Sequence, residues 1–517
     1  MPNEHAPNSG HGCGVASAER SDVPAAGRLA PLGGRLAPLG GRLALLLFVT
    51  VAYFVGRPGW NQNSRLALTR AIVEEGSVAI DTYAHTTGDR ARVGGHAFSD
   101  KAPGASLVAV PAHALFELVR RAGGIAPPET TVRDALGDPV PPDEADVAYL
   151  PPGYTVHYDA AFRADLYVCS LLAAALPTVA AAWAIAYLAV ATGASVGTAR
   201  ACAAAYVLAT PALAYGANFY GHQLAAGALA VAVAWLVARD PPGPRRAVAI
   251  GLCLGLAVAA EYPVAPVAVA LWAHAWIRHG TRTAWAMAGG GAVWAALLAT
   301  YHTAAFGGPF ATGYDAVELP TFAEGMARGY GISWPDPQVA FDLLFGSYRG
   351  LLVASPLLVL ALFGLASAVR STALPFVVAA IIFVYFWLLN SGYYMWDGGS
   401  AAIGRHVLPA LPLLCLGLAP MVERYPRAVA ALGAVSVLHA VAFATAGPEA
   451  PRYGTAVWDH ALPRLWNARL HPGAPAGNLG VLLGLPGVSS LLPLVAVWVV
   501  AWPKASWSRQ VPPHAGS

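Results

Sequence analysis

Long apolar runs separated by polar loops are the main pattern of the chain. Many of the runs reach the roughly 17–25 residues that a helix needs to cross the hydrocarbon core of a bilayer. The pattern predicts about twelve membrane-spanning helices, and therefore an all-α polytopic membrane protein. The predicted spans lie near residues 43–57, 164–189, 200–217, 223–238, 247–260, 263–277, 284–302, 350–369, 374–389, 406–421, 428–445 and 487–503.

Composition supports a membrane protein. Hydrophobic residues make up 56% of the chain and charged residues only 11%, whereas a soluble domain carries about 25% charged residues. This leaves too little polar surface for a water-soluble globule of this size. The chain has 5 cysteines and no CxxC pair, which excludes a disulfide framework and a zinc site built on paired cysteines.

Residues 104–119 form an apolar run that is short for a membrane span. Whether this run crosses the membrane decides the orientation of every later helix. We expect a helix that lies at the membrane interface rather than crossing it. One side of the membrane then collects the basic short loops, and the positive-inside rule makes that side cytoplasmic. The basic residues of these loops are Arg239, Arg245, Arg246, Arg278, Arg282, Arg424 and Arg427.

This orientation predicts a multi-pass protein of the inner (plasma) membrane with both termini in the cytoplasm. Loops 58–162, 303–349 and 446–486 then face outward. Residues 1–41, in which GRLAPLG occurs twice, are predicted to form a disordered tail because their composition is of low complexity. Residues 42–422 hold most spans and the outer loops 58–162, 303–349 and 391–404, and residues 423–517 add the last spans and the loop 446–486.

The first outer loop contains the strongest candidate chemistry. Its Gly-rich stretch carries Asp81, Asp89, Asp100 and Lys101 just before the interfacial helix. A lysine at the start of a helix can neutralise a lipid phosphate, and the backbone N–H groups of the helix add to the attraction. An ordinary Asp-Lys pair in a solvated loop is the other interpretation of the same residues.

Two further groups of polar residues fall at the predicted outer face. His222 and Glu261 each lie at the end of a span, where an ionisable group often marks a functional site. The segment 391–412 combines Tyr394 and Trp396 with Asp397 and Arg405. Aromatic faces with polar neighbours suit a sugar, and arginine can hold a phosphate with two hydrogen bonds. A structural histidine and an aromatic belt at the membrane interface are the simpler interpretations.

Two motifs in the first outer loop resemble those of the GT-C superfamily of glycosyltransferases. Trp60-Asn-Gln-Asn-Ser-Arg65 stands where that family has an acidic pair followed by arginine. Ser99-Asp-Lys-Ala-Pro-Gly104 stands where the family has a DKPPL-type motif beside an interfacial helix. The pattern is most similar to that of the bacterial aminoarabinose transferase and protein mannosyltransferase-like branch, and the resemblance runs from about residue 43 to 422.

The resemblance implies an inverting transfer of a sugar from a polyprenyl-phosphate donor to an acceptor on the outer face. The chain departs from the family at Gln62 and Asn63, which stand in place of the acidic pair. The catalytic base is therefore expected to be Asp100 or Asp81, and Lys101 and Arg405 are expected to bind the donor phosphate. The expected substrate-binding residues are Asn63, Arg65, His222, Glu261, Tyr394 and Trp396.

The expected partners are a polyprenyl-phosphate sugar, membrane lipid and an acceptor glycan, lipid or protein, with no nucleic acid. A divalent metal is compatible with this mechanism but not required by it. Two other functions stay open from the sequence. A lipid or sugar transporter or flippase would need inverted repeats and broken helices at the midplane, and we find no repeat of spans. A noncatalytic relative of the enzyme would explain the missing acidic pair.

Overall fold

The computed structural model describes residues 38–142, 144–237, 241–370, 373–469 and 477–501. Most of the predicted tail at 1–41 lies outside these residues, as do the last two positions of the final predicted span. The helices are α1 (Gly41–Ala52), α2 (Trp60–Arg70), α3 (Gly104–Ala122), α4 (Ala160–Ser170), α5 (Leu176–Ala191), α6 (Val196–Leu208), α7 (Ala212–Gly216), α8 (Gly221–Leu236), α9 (Pro244–Ala260), α10 (Ala265–His279), α11 (Thr281–Phe306), α12 (Pro320–Met326), α13 (Pro337–Phe345), α14 (Leu351–Ala354), α15 (Leu358–Val369), α16 (Leu374–Ser391), α17 (Leu411–Cys415), α18 (Leu418–Arg424), α19 (Pro426–Ala446), α20 (Leu462–Trp466), α21 (Leu479–Leu482) and α22 (Leu492–Ala501).

Short strands occur in the first outer loop. They form two antiparallel hairpins, β1 (Arg90–Val93) with β2 (His96–Ser99) and β3 (Thr130–Arg133) with β4 (Thr155–Tyr158). Gly94 and Gly95 join β1 to β2, and both have positive φ, 58° and 86°. Two such residues form the tight turn whose twist matches that of the flanking strands. The hairpin delivers Ser99 and the residues after it to the start of α3.

The protein is a helical, polytopic membrane protein, as the sequence predicts. Among the described residues, four helical stretches are long and apolar enough to cross a bilayer: Ala160–Ala191, Thr281–Phe306, Leu374–Ser391 and Pro426–Ala446. A fifth candidate is the pair Arg405–Cys415 and Leu418–Arg424, which is bent by 49°. All twelve predicted spans coincide with one or two helices, but the number that cross the membrane stays a prediction.

Helices α9 and α11 approach each other closely because glycines face across their contact. A side chain at Gly251 would run into the carbonyl oxygen of Met287, and one at Gly290 would run into that of Val248. Small residues allow membrane helices to pack backbone against backbone. Helix α9 ends at Ala260, and the turn at Tyr262–Val264 leads into α10, which places Glu261 at the break expected from the sequence.

Helix α2 is buried although its sequence is largely polar. Its pattern is amphipathic, with Leu66 and Thr69 on one face and Arg65 outside that face. In the structure every residue from Asn61 to Arg70 is buried. The polar side chains tolerate this because they have partners: the Asn63 amide donates to the Thr86 carbonyl, and the Ser64 hydroxyl lies 2.7 Å from that of Ser99. Helix α2 is thus the polar core of the first outer loop.

Candidate active site

A cavity of about 690 Å³ lies among the loops that connect the helices. Its polar and aromatic lining comes from the first outer loop, from loop 303–349, from the segment after α16 and from the segment after α19. The lining residues used below are Trp60, Asn61, Asp89, Asp100, Lys101, Tyr158, Tyr314, Phe322, Tyr393, Tyr394, Ser400, Arg405, Glu449 and Arg452. This size lies within the range of about 300–1,000 Å³ typical of small-molecule sites.

Lys101 forms the charged centre of the cavity wall. Its Nζ lies 3.0 Å from Asp89 Oδ2 and 3.1 Å from Asp100 Oδ2. Burial alone would lower the pKa of Lys101, but the negative charges of Asp100 and Asp89 raise it by more. The pKa of Lys101 therefore lies above its usual value. The ammonium is therefore charged at any physiological pH.

Asp100 is buried at the end of β2, with 4% of its surface exposed. Burial raises its pKa to about 6, although Lys101 acts in the opposite direction. Its Oδ1 atom is buried and has no hydrogen-bond partner in the described part of the chain. A buried polar atom without a partner costs free energy unless a ligand or water satisfies it.

The DK segment is fixed in place by its neighbours. The Tyr301 hydroxyl donates to the Ser99 carbonyl over 3.2 Å. A side chain at Gly104 would collide with the backbone of Ala259 at the end of α9. The start of α3 can therefore lie against α9 only because residue 104 is glycine.

Arg405 faces the cavity from the beginning of the bent helix pair. Its guanidinium carbon lies 5.6 Å from the centre of the Tyr220 ring, a distance at which a cation is attracted to an aromatic face. Its Nε atom is buried without a hydrogen-bond partner among the described residues, and within them Arg405 makes no ion pair. Together with Lys101 and Arg452, it provides positive charge around one volume.

Glu449 is a lining residue that the sequence analysis did not single out. Its Oε1 accepts hydrogen bonds from the Tyr220 hydroxyl at 3.0 Å and from Gln62 Nε2 at 3.2 Å. Within the described part of the chain, hydrogen bonds reach only this oxygen of the carboxylate. Burial raises the pKa of Glu449. In the sequence, Glu449 stands out only as a lone glutamate shortly after a predicted span. No local sequence pattern links it to Gln62.

Arg65, His222 and Glu261 are brought together as a buried cluster behind the cavity wall. Glu261 Oε1 lies 3.0 Å from His222 Nδ1 and 3.3 Å from the terminal nitrogen of Arg65. Burial raises the pKa of Glu261, but His222 and Arg65 lower it to about 2. None of the three lines the cavity. Arg65 also donates to the side chain of Asn61, which does line it, so the cluster holds the wall in shape.

Three other predicted site residues lie outside the cavity lining. The Asp81 carboxylate accepts from the Ala97 backbone and lies 2.7 Å from His96 Nδ1, at the exposed edge of the hairpin. Asn63 donates to Thr86 and to Tyr158 and is buried beneath the lining. The ring of Trp396 stands 6.2 Å from that of Tyr348. Tyr394 does line the cavity, alongside Trp60, Tyr158, Tyr314, Phe322 and Tyr393.

The described residues contain no group of three or more His, Cys, Asp or Glu side chains close enough to hold a metal ion. The geometry suits an anionic ligand with an uncharged, ring-shaped part. The guanidinium of Arg405 attracts the anion, Lys101 can donate hydrogen bonds to it, and the aromatic side chains offer flat faces to the ring.

One solved structure is similar to part of the chain. No protein-family model matches the chain, and no curated protein matches it. The crystal structure of ArnT from Cupriavidus metallidurans bound to undecaprenyl phosphate is similar, at 14% sequence identity and a TM-score of 0.44. The match covers 78% of this chain and 63% of the ArnT chain, so the chain spans less than two thirds of the solved protein.

Proposed function

We propose that the protein is a membrane glycosyltransferase that moves a sugar from a polyprenyl-phosphate donor to an acceptor hydroxyl at the outer membrane face. The observation that carries the proposal is the cavity of about 690 Å³ that Lys101, Arg405 and buried carboxylates line together. The DK motif that supplies Lys101 is also the part of the sequence that resembles the GT-C enzymes.

The donor phosphate is proposed to bind between Lys101 and Arg405. Lys101 is already neutralised by two carboxylates, Asp89 and Asp100, so its role is to donate hydrogen bonds from a fixed position. Arg405 has no ion pair among the described residues and contributes the uncompensated charge. Both groups stabilise the negative charge that develops on the phosphate as the bond to the sugar breaks.

Asp100 and Glu449 are the two candidates for the base. Asp100 has the pKa of about 6 that suits a base near neutral pH, but Lys101 binds one of its oxygens and the other oxygen is fully buried. Glu449 has one oxygen held by Tyr220 and Gln62, which leaves the other for the acceptor. It also contacts Gln62, where the resemblance expects an acid. We therefore propose that Glu449 is the base and that Asp100 and Asp89 orient Lys101.

In this mechanism Glu449 takes the proton of the acceptor hydroxyl as its oxygen attacks the anomeric carbon. The bond from that carbon to the phosphate oxygen breaks, and the polyprenyl phosphate leaves with the electron pair. A direct displacement inverts the configuration at the anomeric carbon. Tyr394 and Trp60 are placed to contact the sugar ring, and the cluster of Arg65, Glu261 and His222 keeps Asn61 in position.

The test is transfer of radiolabelled sugar from a panel of polyprenyl-phosphate donors by membranes that contain the full chain. Lys101→Ala, Arg405→Gln and Glu449→Gln are each expected to lose at least about 100-fold in rate, the effect of removing one transition-state contact. Asp138→Asn, an exposed aspartate of the same loop, is the matched control and is expected to keep full activity. The Asp81→Asn variant is expected to behave like this control.

The outcomes separate the assignments. Loss in Asp100→Asn with full activity in Glu449→Gln would move the base to Asp100. Full activity in all cavity variants would overturn the assignment of the site. If no polyprenyl donor is used, a fluorescent lipid should be followed across proteoliposomes that contain the protein. Lipid movement without transfer would identify a flippase instead.

A further inference from the structure

A second, smaller cavity adjoins the proposed active site. Its volume is about 370 Å³, and it shares three lining residues with the first cavity: Tyr158, Ser400 and Glu449. Its other walls come from the segment after α1, the start of α4 and the loop after α19. The two cavities therefore meet at the carboxylate to which we assign the base.

Three arginines line the second cavity: Arg57, Arg163 and Arg464. They belong to three segments that are far apart in the sequence, so no local repeat explains their meeting. Arg57 and Arg163 are half-buried, and Arg464 is exposed. Positive charges around one cavity repel one another, and an anion bound in the cavity would reduce that repulsion.

The hydrogen-bonding capacity of this cavity is also incompletely used. His460 is 6% exposed, and its Nε2 atom is buried with no partner among the described residues. Arg57 Nε is in the same situation, although another nitrogen of its guanidinium lies 3.4 Å from the Thr445 carbonyl. Glu449 is the one carboxylate among the described residues that line the cavity. The cavity thus offers a ligand the unused Nε–H donor of Arg57 and the positive charge of three arginines.

We infer that the second cavity binds the phosphate group of the acceptor, held by Arg57, Arg163 and Arg464. Arginine is suited to this because its planar guanidinium donates two parallel hydrogen bonds to phosphate oxygens. With the phosphate there, the rest of the acceptor passes Tyr158 and Ser400, and its hydroxyl reaches Glu449. The identification of the ligand as the acceptor rests on the proposed function, whereas the anion site itself does not.

The anion site can be tested by binding alone. Inorganic phosphate is titrated calorimetrically into the purified full chain in nanodiscs of phosphatidylcholine. Two sites are expected in the wild type, one in each cavity. Arg464→Gln, a change at an exposed side chain, is expected to weaken one of them at least tenfold, and Arg57→Gln should do the same. Arg328→Gln, an exposed arginine of another loop, is the control and should leave both sites unchanged.

A wild-type isotherm in both Arg464→Gln and Arg57→Gln would overturn the inference. A second titration with dihexanoyl phosphatidic acid identifies the source of the phosphate. Tighter binding than inorganic phosphate at the arginine-dependent site indicates a lipid acceptor, and equal binding indicates a soluble one. Arginine-dependent binding without sugar transfer from any donor would refute the proposed function and keep the anion site. Sugar transfer by the wild type, with wild-type phosphate binding and transfer rates in both Arg464→Gln and Arg57→Gln, would support the proposed function and refute the anion site.

Discussion

Two buried groups of charges that involve loop 58–162 illustrate the difference between a structural network and a candidate site. One surrounds His113 on α3, whose Nδ1 lies 2.8 Å from Asp165 and whose Nε2 lies 3.1 Å from Glu74. Glu74 is also bonded to Arg70 and to the Tyr83 hydroxyl. The other group is Asp89, Asp100 and Lys101 at the cavity.

The two groups contain similar chemistry but differ in what they face. No member of the His113 network lines either cavity. Its ion pairs join Glu74 to α3, and α3 to α4. The Lys101 group opens on a volume that also contains Arg405 and Glu449. Buried ionisable groups in a protein of this kind are therefore informative only together with the space beside them. The predictions below separate the two groups by what each mutation changes.

The largest expected effect is on catalysis. Glu449→Gln should lower kcat/KM by about 10²–10⁴-fold, the usual contribution of a general base, with little change in thermal stability. The wild type should lose activity as the pH falls through the pKa of Glu449, which burial raises. This acid limb should disappear from the residual activity of the variant. A retained acid limb would assign it to another group.

The next effect is on stability. Removal of one partner from the His113 network, as in His113→Ala, should destabilise the protein by about 3–5 kcal/mol because charges are left buried without a partner. Thermal unfolding of the purified chain measures this, and activity should fall only with the amount of folded protein. His96→Ala, which removes an exposed contact with Asp81, should cost at most about 1 kcal/mol. Equal effects of the two changes would contradict the comparison.

The pH dependence of stability should also differ between the groups. Burial lowers the pKa of His113, but its hydrogen bonds to Asp165 and Glu74 raise it to about 9. A raised folded-state pKa stabilises the protein fully below the unfolded value of about 6.5, and the contribution is lost as pH rises through 9. The melting temperature should therefore decline between these pH values. His113→Gln should flatten the decline, whereas Lys101→Ala should leave it intact.

The smallest effects concern the aromatic residues. Tyr394 lines the cavity and Trp396, two positions later, does not. Tyr394→Ala should raise KM for the donor about two- to tenfold, because an aromatic contact contributes roughly 0.5–1.5 kcal/mol. Trp396→Phe should change KM less than about twofold, since it keeps the packing against Tyr348. Steady-state kinetics with the donor found in the transfer assay would measure both.

Local sequence patterns are enough to predict much of the fold and part of the candidate site. The apolar runs located the helices because a bilayer imposes both length and apolarity on them. The DK segment marked Lys101 because an ion pair beside a helix start is visible within a few residues. His222 and Glu261 were separate signals at the ends of spans, and the structure joins them in one cluster.

The remaining features depend on contacts that no local pattern encodes. Asp81 and Asp100 look alike in the sequence, but the hairpin turns Asp81 toward His96 and brings Asp100 to the cavity. The aromatic content of segment 391–412 did not reveal which rings face inward. Burial of α2 could not be predicted because its polar side chains pair with residues of distant segments, such as Tyr158 and Glu261.

The hydrogen bond from Gln62 to Glu449 joins positions 387 residues apart, and it has a consequence for biosynthesis. The residues that carry Lys101 are synthesised long before Glu449. The carboxylate of Glu449 reaches the cavity only when the segment after α19 has been synthesised and has folded back onto α2. A chain that stalls before that segment would lack the carboxylate that we propose as the base. In the proposed mechanism, nascent chains could therefore not use the lipid donor before that step.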